Sequence, residues 1–144
     1  MTTTRTVAGR DGRLKAYRPL PVAQRDVALA AGLRAYEQGD FFEAHELLEP
    51  AWMGTDDLAE RALFQGLIKL AAAFVHGVRG NPRGIVRNLE GARSHLAHAH
   101  ADGRHTAGLD LATLIDAVDE RLARLARDPD DAEVDPPLLP RLNR

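Results

Sequence analysis

Cysteine is absent from the 144 residues of this chain. Disulfide bonds, thiolate metal ligands and a cysteine nucleophile are therefore excluded. Aromatic residues make up only 5% of the sequence, and no apolar run is long enough to cross a bilayer. The longest apolar run, residues 67–75, is interrupted by Lys69, and its length is typical of a buried helix.

Targeting signals and a strong charge bias are also lacking. Residues 1–7 do not have the apolar run of a signal peptide, so we expect a cytoplasmic protein without membrane contact. The net charge is −2, with acidic residues concentrated in 23–60 and basic residues in 61–101. The basic residues are not interleaved with aromatics, so this pattern favours charge complementarity between neighbouring helices over nucleic-acid binding.

The length fits one domain with a single core. We predict a basic flexible arm at 1–20, a helical domain at 21–127 and an acidic, proline-rich tail at 128–144. The arm contains Arg10, Arg13, Lys15 and Arg18 but no apolar period. The tail has four prolines and five acidic residues, which predicts an extended chain, and its leucines are placed to pack back onto the body: Leu138, Leu139 and Leu142.

Helical periodicity predicts an all-α fold, a single compact domain of about five packed helices. A tight αα-hairpin is expected at about 21–53, where Gly39 suits a helix end and Asp40 suits the start of the next helix, with Glu43 completing a capping box. Pro50 should kink or shorten the second helix. The hairpin resembles a tetratricopeptide repeat, but no second copy lies about 34 residues away.

The segment at about 58–78 is apolar nearly all round, which predicts the central buried helix. Asn81 and Pro82 are typical of the N-cap and first position of the following helix. That helix has a stripe containing Gly84 and Gly91, and such spacing allows another helix to approach closely. A fifth helix is expected from about Asp110 to 127.

The stretch 40–52 combines the most anchoring bulk with the most ionisable chemistry, because it contains Phe41, Phe42, His45, Glu46, Glu49 and Trp52. His45 and Glu49 are one helical turn apart and share a face. If this helix packs on the central one, the two elements would form a polar cluster: His45, Glu46, Glu49, Gln65, Lys69 and His76.

Three interpretations of this cluster remain open. In the first, the cluster is a hydrogen-bonded network that fixes the crossing of the two helices, with a carboxylate accepting from Lys69 or from the Trp52 indole. In the second, it is a metal site, for zinc as an example, with His45, Glu49 and His76 as candidate ligands. In the third, it is a metal-free acid–base pocket. A network should be sealed from solvent, whereas a site should be reachable in a cleft.

Several motifs in helices two to four resemble those of DUF309, a bacterial and archaeal family of unknown function with a small all-helical fold. The matching residues are Gly39 to Glu49 with Trp52, then Leu63 to Ala71 including Gly66, then His76, and finally Gly80 to Gly84 including Asn81. The resemblance covers about residues 30–96, with Lys69 as a departure from the usual Gln. It implies a fold of packed helices and no activity.

Two functional hypotheses follow. The first is a non-enzymatic interaction or structural module, a homodimer or a partner of another protein, using the glycine stripe or the outer face of the first hairpin. The second is a metal-dependent or acid–base hydrolase-like enzyme that uses His45, Glu46, Glu49 and His76. The sequence does not decide whether the protein is an enzyme.

Overall fold

Five α-helices make up most of the chain, and the computed structural model describes residues 6–8, 14–16 and 19–142. The helices are α1 (Val22–Glu37), α2 (Phe41–Met53), α3 (Leu58–Val78), α4 (Pro82–Asp102) and α5 (Leu111–Arg127). The predicted all-α architecture of five helices is confirmed. Within the described residues, no helix is both long and apolar enough to span a bilayer.

A short antiparallel strand pair precedes the helices. It consists of β1 (Thr6–Ala8) and β2 (Leu14–Ala16), with Thr6 opposite Ala16. This strand pair lies within the predicted arm, where the sequence shows no strand pattern that would predict it. The predictions for Arg10, Arg13 and Arg18 lie outside the described residues.

The turn between α1 and α2 follows the predicted chemistry. Gly39 has a φ of +80°, and its N–H donates to the Tyr36 carbonyl at 2.9 Å. The Asp40 N–H donates to the Ala35 carbonyl at 2.9 Å, while its side chain accepts from the Glu43 N–H at 3.3 Å. A full capping box would have the Asp40 N–H donate to the Glu43 carboxylate. Here the Ala35 carbonyl accepts this N–H instead, so only the bond from the Glu43 N–H to Asp40 follows the prediction.

The turn between α3 and α4 repeats this arrangement. Gly80 has a φ of +69°, and the Asn81 N–H donates to the His76 carbonyl at 2.9 Å. The Asn81 side chain accepts from the Gly84 N–H at 3.2 Å, as predicted for an N-cap. In both turns one residue closes the first helix and caps the second, so consecutive helices are joined almost without a linker.

Each helix packs on its neighbours in the chain: α1 on α2, α2 on α3, α3 on α4 and α4 on α5. The central position predicted for α3 is confirmed by its buried bulky residues, which are Leu63, Phe64, Leu67, Ile68, Leu70 and Phe74. Helix α2 continues through Pro50 to Met53, so of the two predicted effects Pro50 does not shorten this helix.

Gly66 marks a close approach of α3 to α4. A Cβ atom at this glycine would stand 2.8 Å from Leu96 Cδ2 and 3.2 Å from the Leu96 backbone nitrogen. Leu96 has no exposed surface. The missing side chain therefore sets the distance between the two helices.

Residues 129–142 form the C-terminal strap, which begins with turns at 129–130 and 132–133 and then returns across the body without regular secondary structure. The Tyr36 hydroxyl donates to the Pro137 carbonyl at 2.8 Å, and Leu109 forms an isolated antiparallel bridge with Arg141. Leu139 is buried as predicted, whereas Leu138 and Leu142 are exposed. Val134 is also buried, and the sequence analysis did not identify it.

Candidate functional site

Three of the six residues of the predicted polar cluster gather on α2. His45, Glu46 and Glu49, called here the α2 triad, each offer one ligand atom, and these atoms all lie within 4.8 Å of one another. His45 Nδ1 lies 3.2 Å from Glu46 Oε1, so an imidazole N–H at this position donates to the carboxylate. The triad therefore brings one nitrogen and two oxygen ligand atoms together on a single helical turn.

The sequence of α2 places the triad beside the buried face of the helix. Ala44, Leu48 and Trp52 face the core, and His45 next to them is only 6% exposed. The His45 ring stacks on Phe42 with centroids 6.4 Å apart and an interplanar angle of 14°. This packing holds the imidazole in one orientation toward the two carboxylates.

The triad is open to solvent on the side of its carboxylates, while His45 is buried. The Glu46 side chain is 53% exposed and lies between two surface hollows. The Met53 hollow, about 400 Å³, is lined by Pro19, Leu20, Glu46, Glu49, Pro50 and Met53. The α2–α3 hollow, about 270 Å³, is lined by Phe42, His45, Glu46, Ala72, Val75, His76 and Arg79. The carboxylates are therefore reachable from solvent, as expected for a site in a cleft and not for a sealed network.

His76 lies across the α2–α3 hollow from the triad and has other contacts. Its Nδ1 accepts from the Asn81 side-chain amide at 3.1 Å, and its ring occupies the space that a side chain at Gly84 would need. The group of converging ligand atoms does not include His76. The structure therefore adds Glu46 to the candidate metal ligands His45 and Glu49. His76 instead packs in the corner between α3 and α4.

Lys69 also points away from the triad. Its aliphatic chain lies on Gly91, where a Cβ atom would stand 3.3 Å from Lys69 Cδ. Burial lowers the pKa of His95 on α4, and the charges of Lys69 and His98 lower it further. Gln65 is half-buried on α3. Lys69 therefore packs on α4, while His76 shares the lining of the α2–α3 hollow with His45 and Glu46.

These contacts correct the interpretation of the glycine stripe on α4. Gly84 is covered by His76 and Gly91 by Lys69, both from α3 of the same chain. The stripe therefore serves the packing of α3 on α4 and is not a free surface for a second copy.

Trp52 has no exposed surface, and the Arg61 guanidinium lies 5.6 Å from its ring centroid. Among the described residues, none accepts a hydrogen bond from the indole N–H. The expected bond from Trp52 to a carboxylate of the cluster is therefore not found in this part of the chain. Trp52 anchors α2 through packing and a cation–π contact.

A charged group that was not predicted from the sequence lies at the start of α3. Arg25 of α1 pairs with Glu60 at 2.9 Å, and His105 lies 3.7 Å from Asp57. A hydrogen bond from the Glu60 backbone N–H holds the pKa of Asp57 below its usual range. Burial acts in the opposite direction, and the charge of Arg104 lowers this pKa further. No sequence spacing connects residues 25, 60 and 105, so only the tertiary structure reveals the group.

A larger hollow, about 460 Å³, lies away from the triad, between α1, Ala107 and Arg141. Ala107 has a φ of +57°, which is unusual for a residue with a side chain. The Arg141 guanidinium donates to Glu37 at 2.7 Å across this hollow. This pair closes the strap over α1, and we assign the hollow to that contact.

Comparison with known proteins identifies one family. Residues 29–88 match the family described as Domain of unknown function (DUF309). This range contains the α2 triad, Trp52, Gly66, His76 and Gly84. No curated protein and no solved structure matches the chain.

Proposed function

We propose that this chain, whose residues 29–88 match the DUF309 family, is a non-enzymatic interaction module. Its binding surface, called the α2–α3 face, consists of Phe42, Val75, Val78 and Arg79. The observation that carries the proposal is the exposure of two large apolar residues beside one hollow: Phe42 is 59% and Val78 is 80% exposed. Clustered apolar exposure beside a hollow is typical of an interaction site.

The chemistry of this face suits a protein partner. Phenylalanine and arginine are both enriched in protein–protein interfaces relative to the rest of the surface. Phe42 separates two hollows, of about 270 and 310 Å³, and each hollow offers space for a side chain of the partner. Val75 is half-buried and belongs to the lining of both.

The partner that we expect first is a second copy of this chain. A two-fold dimer requires a patch that is complementary to itself. The α2 side of the face has exposed acidic residues, Asp40 and Glu43, while the α3 side has exposed Arg79. Two copies related by a two-fold axis therefore bring Arg79 of each against the acidic rim of the other.

Sedimentation equilibrium of tag-free protein tests this proposal. We expect a dimer for the wild type and a monomer for Phe42→Glu, because a carboxylate cannot be buried at the centre of an apolar contact without a partner. Val27→Glu is the matched control, since Val27 is 70% exposed on α1 and is expected to leave the dimer intact.

Exchanging the charges of Arg79 and Glu43 distinguishes this contact from nonspecific association. Arg79→Glu should weaken the dimer, and adding Glu43→Arg should restore it. A monomeric wild type, combined with the absence of any cross-linked product in cells from a photoreactive residue at position 42, would refute the interaction module itself.

The alternative enzyme has less support. It requires His45, Glu46, Glu49 and His76 to act together, whereas His76 contacts Asn81 and Gly84. We therefore propose no reaction for this chain.

A further inference from the structure

We propose that the C-terminal strap is the removable occupant of a docking groove, and that a peptide segment of a partner protein with the same anchor pattern binds there in its place. This strap groove consists of the residues that the strap contacts on α1, on α5 and in the loop before α5: Tyr36, Glu37, Leu109, Arg121 and Arg124. The inference is independent of the dimer at the α2–α3 face, because the two surfaces share no residue.

Backbone groups of the strap make several of its bonds to the body. The Pro137 carbonyl accepts from the Tyr36 hydroxyl at 2.8 Å, and the Pro140 carbonyl accepts from the Asp110 N–H at 2.9 Å. The Leu142 N–H donates to a carbonyl of the loop before α5 at 2.9 Å. Other peptides can form such bonds, as when a peptide adds to a sheet edge. The groove therefore accepts a peptide backbone as well as particular side chains.

Two apolar anchors and one carboxylate give the groove its selectivity. Val134 is 4% and Leu139 is 7% exposed, so both side chains are buried against the body. The Asp135 carboxylate accepts from two arginines of α5 at 2.8 and 3.0 Å. A competing segment therefore needs an apolar residue followed directly by an acidic one, and a second apolar residue five positions after the first.

The strap is held less firmly than the helices beneath it. The Asp135 side chain is 62% exposed, and both members of the Glu37–Arg141 pair are about half-exposed, so these ion pairs contribute little. The strap leaves α5 through an exposed turn at 129–130. A segment with few buried side chains and exposed polar contacts opens more readily than a packed core. The strap is therefore able to leave the groove while the helices stay folded.

The groove also has room that the strap, as far as residue 142, does not fill. The Glu37–Arg141 pair crosses the hollow of about 460 Å³, whose apolar lining includes Leu29 and Leu33. A tethered strap has an effective concentration on the order of millimolar, so a partner segment needs contacts that the strap lacks. An apolar side chain of the partner in this hollow provides them.

Fluorescence anisotropy of a labelled synthetic peptide of residues 129–142 tests the proposal. The full-length variant Val134→Asp/Leu139→Asp removes both anchors from the tethered strap, because carboxylates are not buried in an apolar site without partners. The peptide should bind this variant at least about a hundredfold more tightly than it binds the wild type, whose groove is occupied. The same peptide with both substitutions is the matched control and should bind neither protein.

Hydrogen exchange in the wild type decides the question even if the double variant does not fold, which far-UV circular dichroism will check. The Asp110 N–H, which donates to the strap, should exchange at least about tenfold faster than the amides at the centre of α3, after correction for intrinsic rates. Exchange of Asp110 at the rate of the α3 amides would overturn the proposal. A folded double variant that does not bind the peptide would also refute it.

The competing occupant of the groove is the strap of a second copy. A dimer formed by exchanging straps would persist in Phe42→Glu and would be lost when Val134→Asp/Leu139→Asp is added. That result in sedimentation equilibrium would assign the groove to exchange between copies and rule out a partner segment. We expect a monomer for Phe42→Glu instead.

Discussion

Gly66 and Gly77 both lie in α3, and we predict that alanine has opposite effects at the two positions. At Gly66 a Cβ atom would stand 2.8 Å from two side-chain atoms of Leu96 and 3.2 Å from its backbone nitrogen. At Gly77 the nearest atoms are Ile85 Cδ1 at 3.6 Å and the Ala132 carbonyl oxygen at 3.7 Å. These are ordinary van der Waals distances.

The magnitudes follow from two opposing effects. Replacing glycine by alanine inside a helix stabilises it by up to about 1 kcal/mol. Overpacking a core costs about 1–3 kcal/mol, and Leu96 cannot swing into solvent because it is fully buried. Gly66→Ala should therefore lower the free energy of unfolding by about 1–2 kcal/mol, while Gly77→Ala should raise it by about 0.5–1 kcal/mol.

Urea unfolding followed by Trp52 fluorescence measures both variants, because Trp52 is the single tryptophan and is fully buried. The two midpoints of thermal unfolding should also differ, by about 4–8 °C. If Gly66→Ala were as stable as Gly77→Ala, α3 and α4 would not approach each other as closely as described, and the role assigned to Gly66 would be refuted.

Three further predictions concern hydrogen bonds and ion pairs. Tyr36→Phe removes the bond to the Pro137 carbonyl and should cost about 1 kcal/mol in urea unfolding. Burial raises the pKa of Tyr36, so the wild type, but not this variant, should lose stability at this site as pH rises above the unfolded pKa of about 10. Asp57→Ala removes the N-cap of α3 and should cost about 1 kcal/mol at pH 7; because the pKa of Asp57 is lowered, that difference should shrink as pH falls below about 4. Asp135→Ala breaks exposed pairs with arginines of α5 and should lower the thermal midpoint only slightly, with no difference left in 1 M salt (a Debye length of about 3 Å).

The helices and their turns could be predicted because their signals are local. A glycine followed by Asp40 or Asn81 ends one helix and caps the next within a few residues. Asp110 caps α5 in the same way, by accepting from the Thr113 N–H at 3.1 Å. Such bonds depend on neighbouring residues alone, so the sequence contains all the information they need.

The partners of the α3 polar flank could not be predicted in this way. Periodicity shows that Lys69 and His76 share a flank, but not whether that flank meets α2 or α4. One signal was available: Lys69 and His76 are seven residues apart, as are Gly84 and Gly91 on the next, antiparallel helix. Large side chains on one helix matched by glycines on the other indicate this pairing.

The C-terminal strap shows a different limit. Tyr36 and Pro137 are 101 residues apart, and their hydrogen bond has no local signature. The leucines of the tail suggested a return to the body, yet Leu139 alone is buried among the three predicted, because an extended chain alternates its sides. Which side faces the body depends on register, and register is set by the tertiary contact with Leu109.

The packing of each helix on its neighbours in the chain has a consequence for the folding rate. Contacts between consecutive helices join residues close in sequence, and chains dominated by such contacts fold in microseconds to milliseconds. The strap is the exception, because Tyr36–Pro137 and Glu37–Arg141 close loops of about a hundred residues. We therefore expect the five helices to assemble first and the strap to dock last. Variants that remove a contact between the body and the strap, such as Tyr36→Phe in α1, should accelerate unfolding while leaving the folding rate almost unchanged.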